Sequence, residues 1–156
     1  MPILSRVMFG LVDWVARKGL VDSAAPPVPE TAKQRARRTG VRGETYAYWY
    51  LRRRGYVMIA RNFSYRGVKG EIDLVGYDGK TVAFVEVKTR TAAGHEVGTP
   101  EQAVNREKQR HLSRVARQFL REYRAAEAPF RFDVLAIEAP PGRRPVVRLH
   151  KGAFAP

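Results

Sequence analysis

An α/β fold with a mixed sheet, in the order α-β-β-β-α-β-β and preceded by an extra N-terminal helix, is predicted by three observations. Short stretches of alternating or continuous apolar character recur at Tyr56–Phe63, Glu71–Tyr77, Lys80–Thr89 and Phe130–Glu138. Apolar residues at helical spacing mark residues 31–54 and a second long segment ahead of the fourth strand. Asp78-Gly79 is a two-residue hairpin signal that joins two of the strands. An antiparallel meander therefore feeds a crossover helix, which returns the next strand beside the third and parallel to it.

Ile3, Leu4, Val7, Met8, Leu11, Val12 and Val15 repeat at helical spacing, with Trp14 beside them, so residues 3–18 read as an amphipathic helix. Its uncharged stretch is far too short to span a bilayer. Asp13, Arg17 and Lys18 interrupt it in a way that a signal peptide would not show, so a cytoplasmic protein is expected. Ala24-Ala25-Pro26-Pro27-Val28-Pro29 reads as a linker. The expected division is an appended helix at 1–20, a Pro-rich linker at 21–30 and one domain at 31–156. The helix is expected to pack on that domain or on a second copy; a membrane-surface anchor formed by residues 3–18 is the sharper alternative.

The helix at 31–54 ends in Arg52-Arg53-Arg54 before Gly55, a fitting C-terminal charge and stop. Thr99-Pro100-Glu101-Gln102 carries three helix-start cues, and that helix is expected to run to about Ala126. Its core stripe is Val104, Leu112, Val115, Phe119 and Tyr123. Arg106, Arg110, Arg114, Arg117, Arg121 and Arg124 recur on the opposite side, more one-sided than solubility requires. Lys108 falls on the core side near the helix start, where it could reach the carboxylate cluster. Pro140-Pro141-Gly142 is a loop, and Val146–His150 a short last strand.

The 156 residues include 29 Lys and Arg, 15 Asp and Glu, and no cysteine. Disulfides, iron–sulfur clusters, thiolate zinc sites and cysteine nucleophiles are thereby excluded. The three histidines have no zinc-hydrolase spacing. The net charge of +14 points to a polyanionic partner. Divided along the chain, it is positive everywhere except residues 71–105, where six acids outnumber three bases. An acidic window inside a basic protein suggests a place for a cation.

The hairpin locates that window. With Asp78-Gly79 as the turn, Tyr77 faces Lys80, Asp73 faces Phe84 and Glu71 faces Glu86. Glu71, Asp73, Phe84, Glu86, Lys88 and Arg90 then share one face, with Asp73 and Glu86 as diagonal neighbours. Two carboxylates this close repel unless a cation joins them. Mg²⁺ takes one or two carboxylates together with water and phosphate oxygens, and Lys88 would stand beside it. Glu44 lies on the inward face of the preceding helix, where Ala47, Tyr48 and Leu51 follow it at helical spacing, and Gly43 beside it permits close packing.

Gly43-Glu44, Gly55-Tyr56, Gly70-Glu71-Ile72-Asp73-Leu74-Val75, Phe84-Val85-Glu86-Val87-Lys88-Thr89-Arg90, Gly98-Thr99-Pro100 and Arg131-Phe132-Asp133-Val134 occur in order with matching gaps. Over residues 40–154 the chain resembles the YraN-like family of bacterial proteins, which is similar to restriction-endonuclease-like nucleases, Holliday-junction resolvases among them. The resemblance implies a restriction-endonuclease-like core. It also implies a metal-dependent site in which the helix Glu, the hairpin Asp and the Glu-x-Lys strand correspond to Glu44, Asp73, Glu86 and Lys88. The first 30 residues have no counterpart in it.

The resulting expectation is a Mg²⁺- or Mn²⁺-dependent endonuclease acting on DNA, with branched DNA as the narrower case. Asp73 and Glu86 ligate metal, Glu44 completes or orients the shell, and Lys88 assists the attacking water. Arg52, Arg53, Arg54, Arg66, Lys69, Arg90, Lys108, Arg110, Arg114, Arg117 and Arg121 are expected to meet the backbone. A resolvase-like role implies a two-fold homodimer. The alternatives are a non-catalytic nucleic-acid-binding module and a membrane-associated interaction protein.

Overall fold

The computed structural model describes residues 3–17, 31–90, 104–140 and 143–155. It contains α1 (Ile3–Arg17), α2 (Ala32–Arg53), β1 (Val57–Phe63), β2 (Ile72–Asp78), β3 (Thr81–Arg90), α3 (Arg106–Glu122), β4 (Phe130–Glu138) and β5 (Val146–Phe154). The strands form one five-stranded mixed sheet in the order β1-β2-β3-β4-β5. This is the expected α/β architecture, consistent with a restriction-endonuclease-like core. The strand pairs β1/β2 and β2/β3 are antiparallel. Val82 N–H bonds to the Pro129 carbonyl and Ala139 N–H to the Arg90 carbonyl, each at 2.8 Å, so residue numbers rise together along β3 and β4. That is the parallel return expected of a crossover helix.

The residues cluster into two compact units. The first comprises 1–55, 87–95 and 136–148; the second comprises 56–86, 96–135 and 149–156. In the first, α2 begins with a capping box. Thr31 Oγ1 accepts the Gln34 N–H at 3.2 Å, and Gln34 Oε1 accepts the Thr31 N–H at 2.9 Å. α2 buries Gly43, Tyr46, Ala47, Tyr50 and Leu51. α1 packs on α2 through Phe9, whose ring meets Tyr46 edge-on at 5.5 Å, and through Asp13, which accepts the Tyr46 hydroxyl at 2.9 Å. Burial, reinforced by Asp13, raises the Tyr46 hydroxyl pKa.

The second unit holds a core of Ile72, Val75, Val82, Phe84, Val104, Leu112, Val115, Ala116, Phe119, Leu120, Phe132 and Val134. Phe84 sits among the rings of Phe119, Phe130 and Phe132 at 5.6–5.9 Å, the separation aromatic pairs prefer. The apolar stripe of α3 covers the strands here, as its helical spacing predicts.

Four expectations are corrected. The hairpin turn is Gly79-Lys80, because Asp78 pairs with Thr81 and Tyr77 with Val82. Gly79 at φ +61° takes the first central position, which suffices for a two-residue turn, and Asp78 stays in the strand to bind cations. The register moves by two residues, so the faces are preserved. α3 starts at Arg106, since Asn105 is its N-cap and accepts the Lys108 N–H at 2.8 Å; the Thr99-Pro100 signal lies outside the described residues. α3 ends at Glu122, followed by Arg124 at φ +52°. Tyr123 is therefore not core: it is 49% exposed and stacks on Phe119. β5 continues past His150 to Phe154, and Ala153 and Phe154 are buried. The linker at 21–30 and Pro141-Gly142 also lie outside the described residues.

Candidate active site

Hairpin register brings the two strand acids closer than the sequence alone suggested. β2 and β3 pair through Leu74↔Val85. One further step in that register sets Asp73 directly opposite Glu86, where opposed Cβ atoms stand about 5 Å apart. Asp73 is half-buried, and Glu86 is only 4% exposed. A carboxylate so deeply buried on a sheet face needs a cationic partner. Lys108 provides one, its Nζ donating to Glu86 Oε1. The Lys108 backbone is fixed by the Asn105 cap, and Gln109 Nε2 bonds the Val104 carbonyl at 2.8 Å. The first turn of α3 thus delivers an ammonium to the acid on β3.

In the first unit, Glu44 lies half-buried on α2 and Lys88 half-buried near the end of β3. The neighbour of Glu44 is a glycine for a steric reason. A Cβ on Gly43 would stand 1.8 Å from Thr89 Oγ1 and 2.9 Å from Thr89 Cβ. α2 therefore approaches β3 at Gly43 more closely than any side chain allows.

The donor chemistry fits a hard, six-coordinate cation. The register extended by one step sets two carboxylates opposite one another, and among the described residues no group of three His, Cys, Asp or Glu side chains is placed to hold a metal. An ion there would complete its shell with water and phosphate oxygens, as Mg²⁺ and Mn²⁺ do and structural zinc does not.

The basic residues separate into distinct settings. Arg106, Arg110, Arg114 and Arg117 line a cleft of about 400 Å³ with Gln109, Ser113 and Ala155. Arg121 is exposed on the next turn of α3. Arg52, Arg53 and Arg54 are each mounted on an aromatic ring: Trp49 at 5.2 Å, Phe9 at 4.5 Å and Tyr50 at 4.8 Å. Arg66 and Arg90 are exposed, and Lys69 makes an exposed ion pair with Glu107 at 3.5 Å. Lys108, expected both within reach of the carboxylate cluster and among the backbone contacts, engages Glu86.

Sequence reasoning missed a polar network in the second unit. Asp133, fully buried on β4, accepts Arg131 Nε at 2.9 Å and the Gly152 N–H at 2.9 Å. Arg131 also bonds Asp78 at 2.6 Å and the Tyr56 hydroxyl at 3.1 Å, and Lys151 bonds Asp78 at 2.6 Å. Burial opposes the charge on Arg131, but its bonds to Asp133 and Asp78 prevail and raise its pKa. Hydrogen bonds from Lys151 and Arg131 hold the Asp78 carboxyl below its usual range. The available signal was an acid in the middle of the apolar run Phe130–Glu138, two residues after an arginine.

Residues 43–137 match the model of Uncharacterised protein family UPF0102. A UPF0102 protein of Koribacter versatilis is 40% identical over 129 residues, covering 81% of this chain and 86% of that protein. One of Symbiobacterium thermophilum is 44% identical over 119 residues, covering 76% and 98%. One of Geobacter metallireducens is 50% identical over 98 residues, covering 63% and 77%. Glu44, Asp73, Glu86 and Lys88 all fall inside the matched segment, α1 falls outside it, and the chain belongs to the UPF0102 family, the YraN-like proteins.

Proposed function

We propose that this protein is a divalent-metal-dependent endonuclease that hydrolyses phosphodiester bonds in DNA. The observation that carries the reading is the β2/β3 register, which extended by one step from Leu74↔Val85 sets Asp73 opposite Glu86, with Glu86 buried and held by Lys108. A protein that only binds nucleic acid gains nothing from two acids aimed at a phosphate. Bound between them, Mg²⁺ or Mn²⁺ would polarise the phosphodiester and acidify a water.

The chain's own residues have separate tasks in this reading. Asp73 and Glu86 are the metal ligands. Lys108 is a positioning residue that fixes the Glu86 carboxylate. Lys88, two residues along β3 from Glu86, orients the attacking water, and Glu44 completes or orients the acidic set. The water oxygen bonds to phosphorus as its proton passes to solvent, the bridging P–O bond breaks, and its electron pair leaves with the departing oxygen, which takes a proton from solvent. The arginine cleft on α3 takes the backbone by neutralising phosphates, so binding weakens steeply with salt. If branched DNA is the substrate, a two-fold dimer matches the symmetry of a junction.

Incubation of the full chain with duplex, flap and four-way DNA in Mg²⁺ or Mn²⁺ tests the reading. Metal-dependent product that disappears in Asp73→Asn is expected. Salt-sensitive binding without product on any substrate in either metal would replace it with a non-catalytic nucleic-acid-binding module.

A further inference from the structure

α1 carries two apolar faces, and the fold uses only one. Phe9 and Asp13 face α2 and are 4% and 5% exposed. Ile3, Leu4, Val7, Leu11 and Trp14 are 80%, 64%, 62%, 54% and 54% exposed. At about 100° per residue these five fall within roughly 100° of arc, on the side away from Phe9. Isolated exposed apolar residues are ordinary, but a continuous stripe of five on one helix is not.

The charge of the same unit indicates what covers the stripe. Among its described residues, the first unit has 15 Lys and Arg against 3 Asp and Glu. The acids are engaged or half-buried: Asp13 binds Tyr46 and Arg144, Glu138 binds Arg148, and Glu44 is half-buried on α2. Arg6 is exposed on α1 itself, Arg53 lies over Phe9, and Arg144 reaches Asp13, so cations flank the helix. Lys33, Arg35 and Arg37 add three exposed cations on the first turns of α2.

We propose that α1 is a peripheral membrane anchor: its outer stripe enters the interface of an anionic phospholipid bilayer while the surrounding cations meet the headgroups. At about 1.5 Å per residue the 15-residue helix is roughly 22 Å long, shorter than the hydrocarbon core of about 30 Å, so it lies in the interface plane. No helix among the described residues is long and apolar enough to cross a membrane. A second copy is the weaker occupant. It would bring two strongly cationic units together over one short stripe, well under the roughly 800 Å² per partner of a standard interface. Nucleic acid supplies phosphates but nothing for five apolar side chains to enter.

Co-sedimentation of the full chain with vesicles tests the proposal, using phosphatidylcholine alone and phosphatidylcholine with one-third phosphatidylglycerol. Binding about tenfold or more tighter to the anionic vesicles is expected. Val7→Glu/Leu11→Glu, both at exposed positions, should lose that binding about tenfold or more while keeping its helical circular dichroism. Equal binding to both vesicle types overturns the proposal. So does undiminished anionic binding by the double variant, which would assign lipid contact to basic charge alone. A dimer of the wild-type chain that Val7→Glu/Leu11→Glu dissociates would overturn it in favour of a second copy. None of these outcomes depends on nuclease activity.

Discussion

The two compact units are both basic, but they handle charge differently. The second unit carries 8 acids against 13 bases among its described residues and ties acids internally: buried Glu86 to Lys108, buried Asp133 to Arg131, and half-buried Asp78 to Arg131 and Lys151. Its uncompensated charge is gathered on α3, where four arginines line one cleft. The first unit carries 3 acids against 15 bases, and several of its arginines rest on aromatic rings. Net charge alone therefore does not locate function. The second unit directs charge to an acidic pair and a cleft; the first spreads it beside an exposed apolar helix face.

That contrast is broken most severely at the acidic pair. Asp73→Asn and Glu86→Gln are each expected to lower cleavage on the order of a thousandfold, the scale of removing a charge-organising group from a site. Unfolding midpoints should change little for Asp73→Asn, which separates chemistry from folding. Lys108→Met should also reduce cleavage and should destabilise the chain as well, because it leaves Glu86 buried without its ammonium.

Stability effects come next. Arg131→Ala strands Asp133, which is 0% exposed, and is expected to cost about 3 kcal/mol in urea unfolding. Gly43→Ala forces a Cβ into Thr89 and is expected to cost about 1–3 kcal/mol. Adding Thr89→Ala should recover only part of this, since the Thr89 Cβ itself would stand 2.9 Å away. A destabilisation at Gly43 that Thr89→Ala leaves untouched would contradict the close approach of α2 to β3.

Smaller effects sharpen the comparison between the basic surfaces. Arg110→Ala, Arg114→Ala and Arg117→Ala are each expected to weaken DNA binding and lower the slope of log affinity against log salt by about 0.9 for each phosphate that the variant no longer neutralises. Arg52→Ala and Arg54→Ala should change that slope less, because these guanidinium groups pack on Trp49 and Tyr50. Asp78 gives the mildest effect. Its depressed carboxyl pKa contributes stability that is fully present above about pH 4 and is lost as pH falls through the folded-state value. Wild type and Asp78→Asn should therefore converge in thermal midpoint below about pH 4 and differ most at neutral pH.

Much of the fold was legible because its signals are local. Alternation fixed the strands, and the boundaries of α2 came within a residue or two of Ala32–Arg53. The turn chemistry of Asp78-Gly79 found the hairpin but misplaced it by one position in each strand. Either residue pair satisfies the glycine requirement, and what decides between them is Arg131 and Lys151, far away in sequence, holding Asp78 in the strand. Faces survived because the register error was two. The Asp73–Glu86 juxtaposition was therefore readable as a shared face, though not as a directly opposed pair. Lys108 illustrates the limit from the other side. Helical spacing put it on the core side of α3 within reach of the acids, but which acid it bonds needed the tertiary docking of that helix.

Manganese binding tests the central claim most directly, because it asks whether the opposed acids hold a divalent cation at all. Titration of the full chain with Mn²⁺, followed by electron paramagnetic resonance of the free ion, should show saturable uptake by the wild type. Asp73→Asn should abolish that uptake with its fold intact. Wild-type protein that takes up no Mn²⁺, or an Asp73→Asn variant that takes up as much as the wild type, would contradict the assignment of Asp73 and Glu86 as a metal-holding catalytic pair.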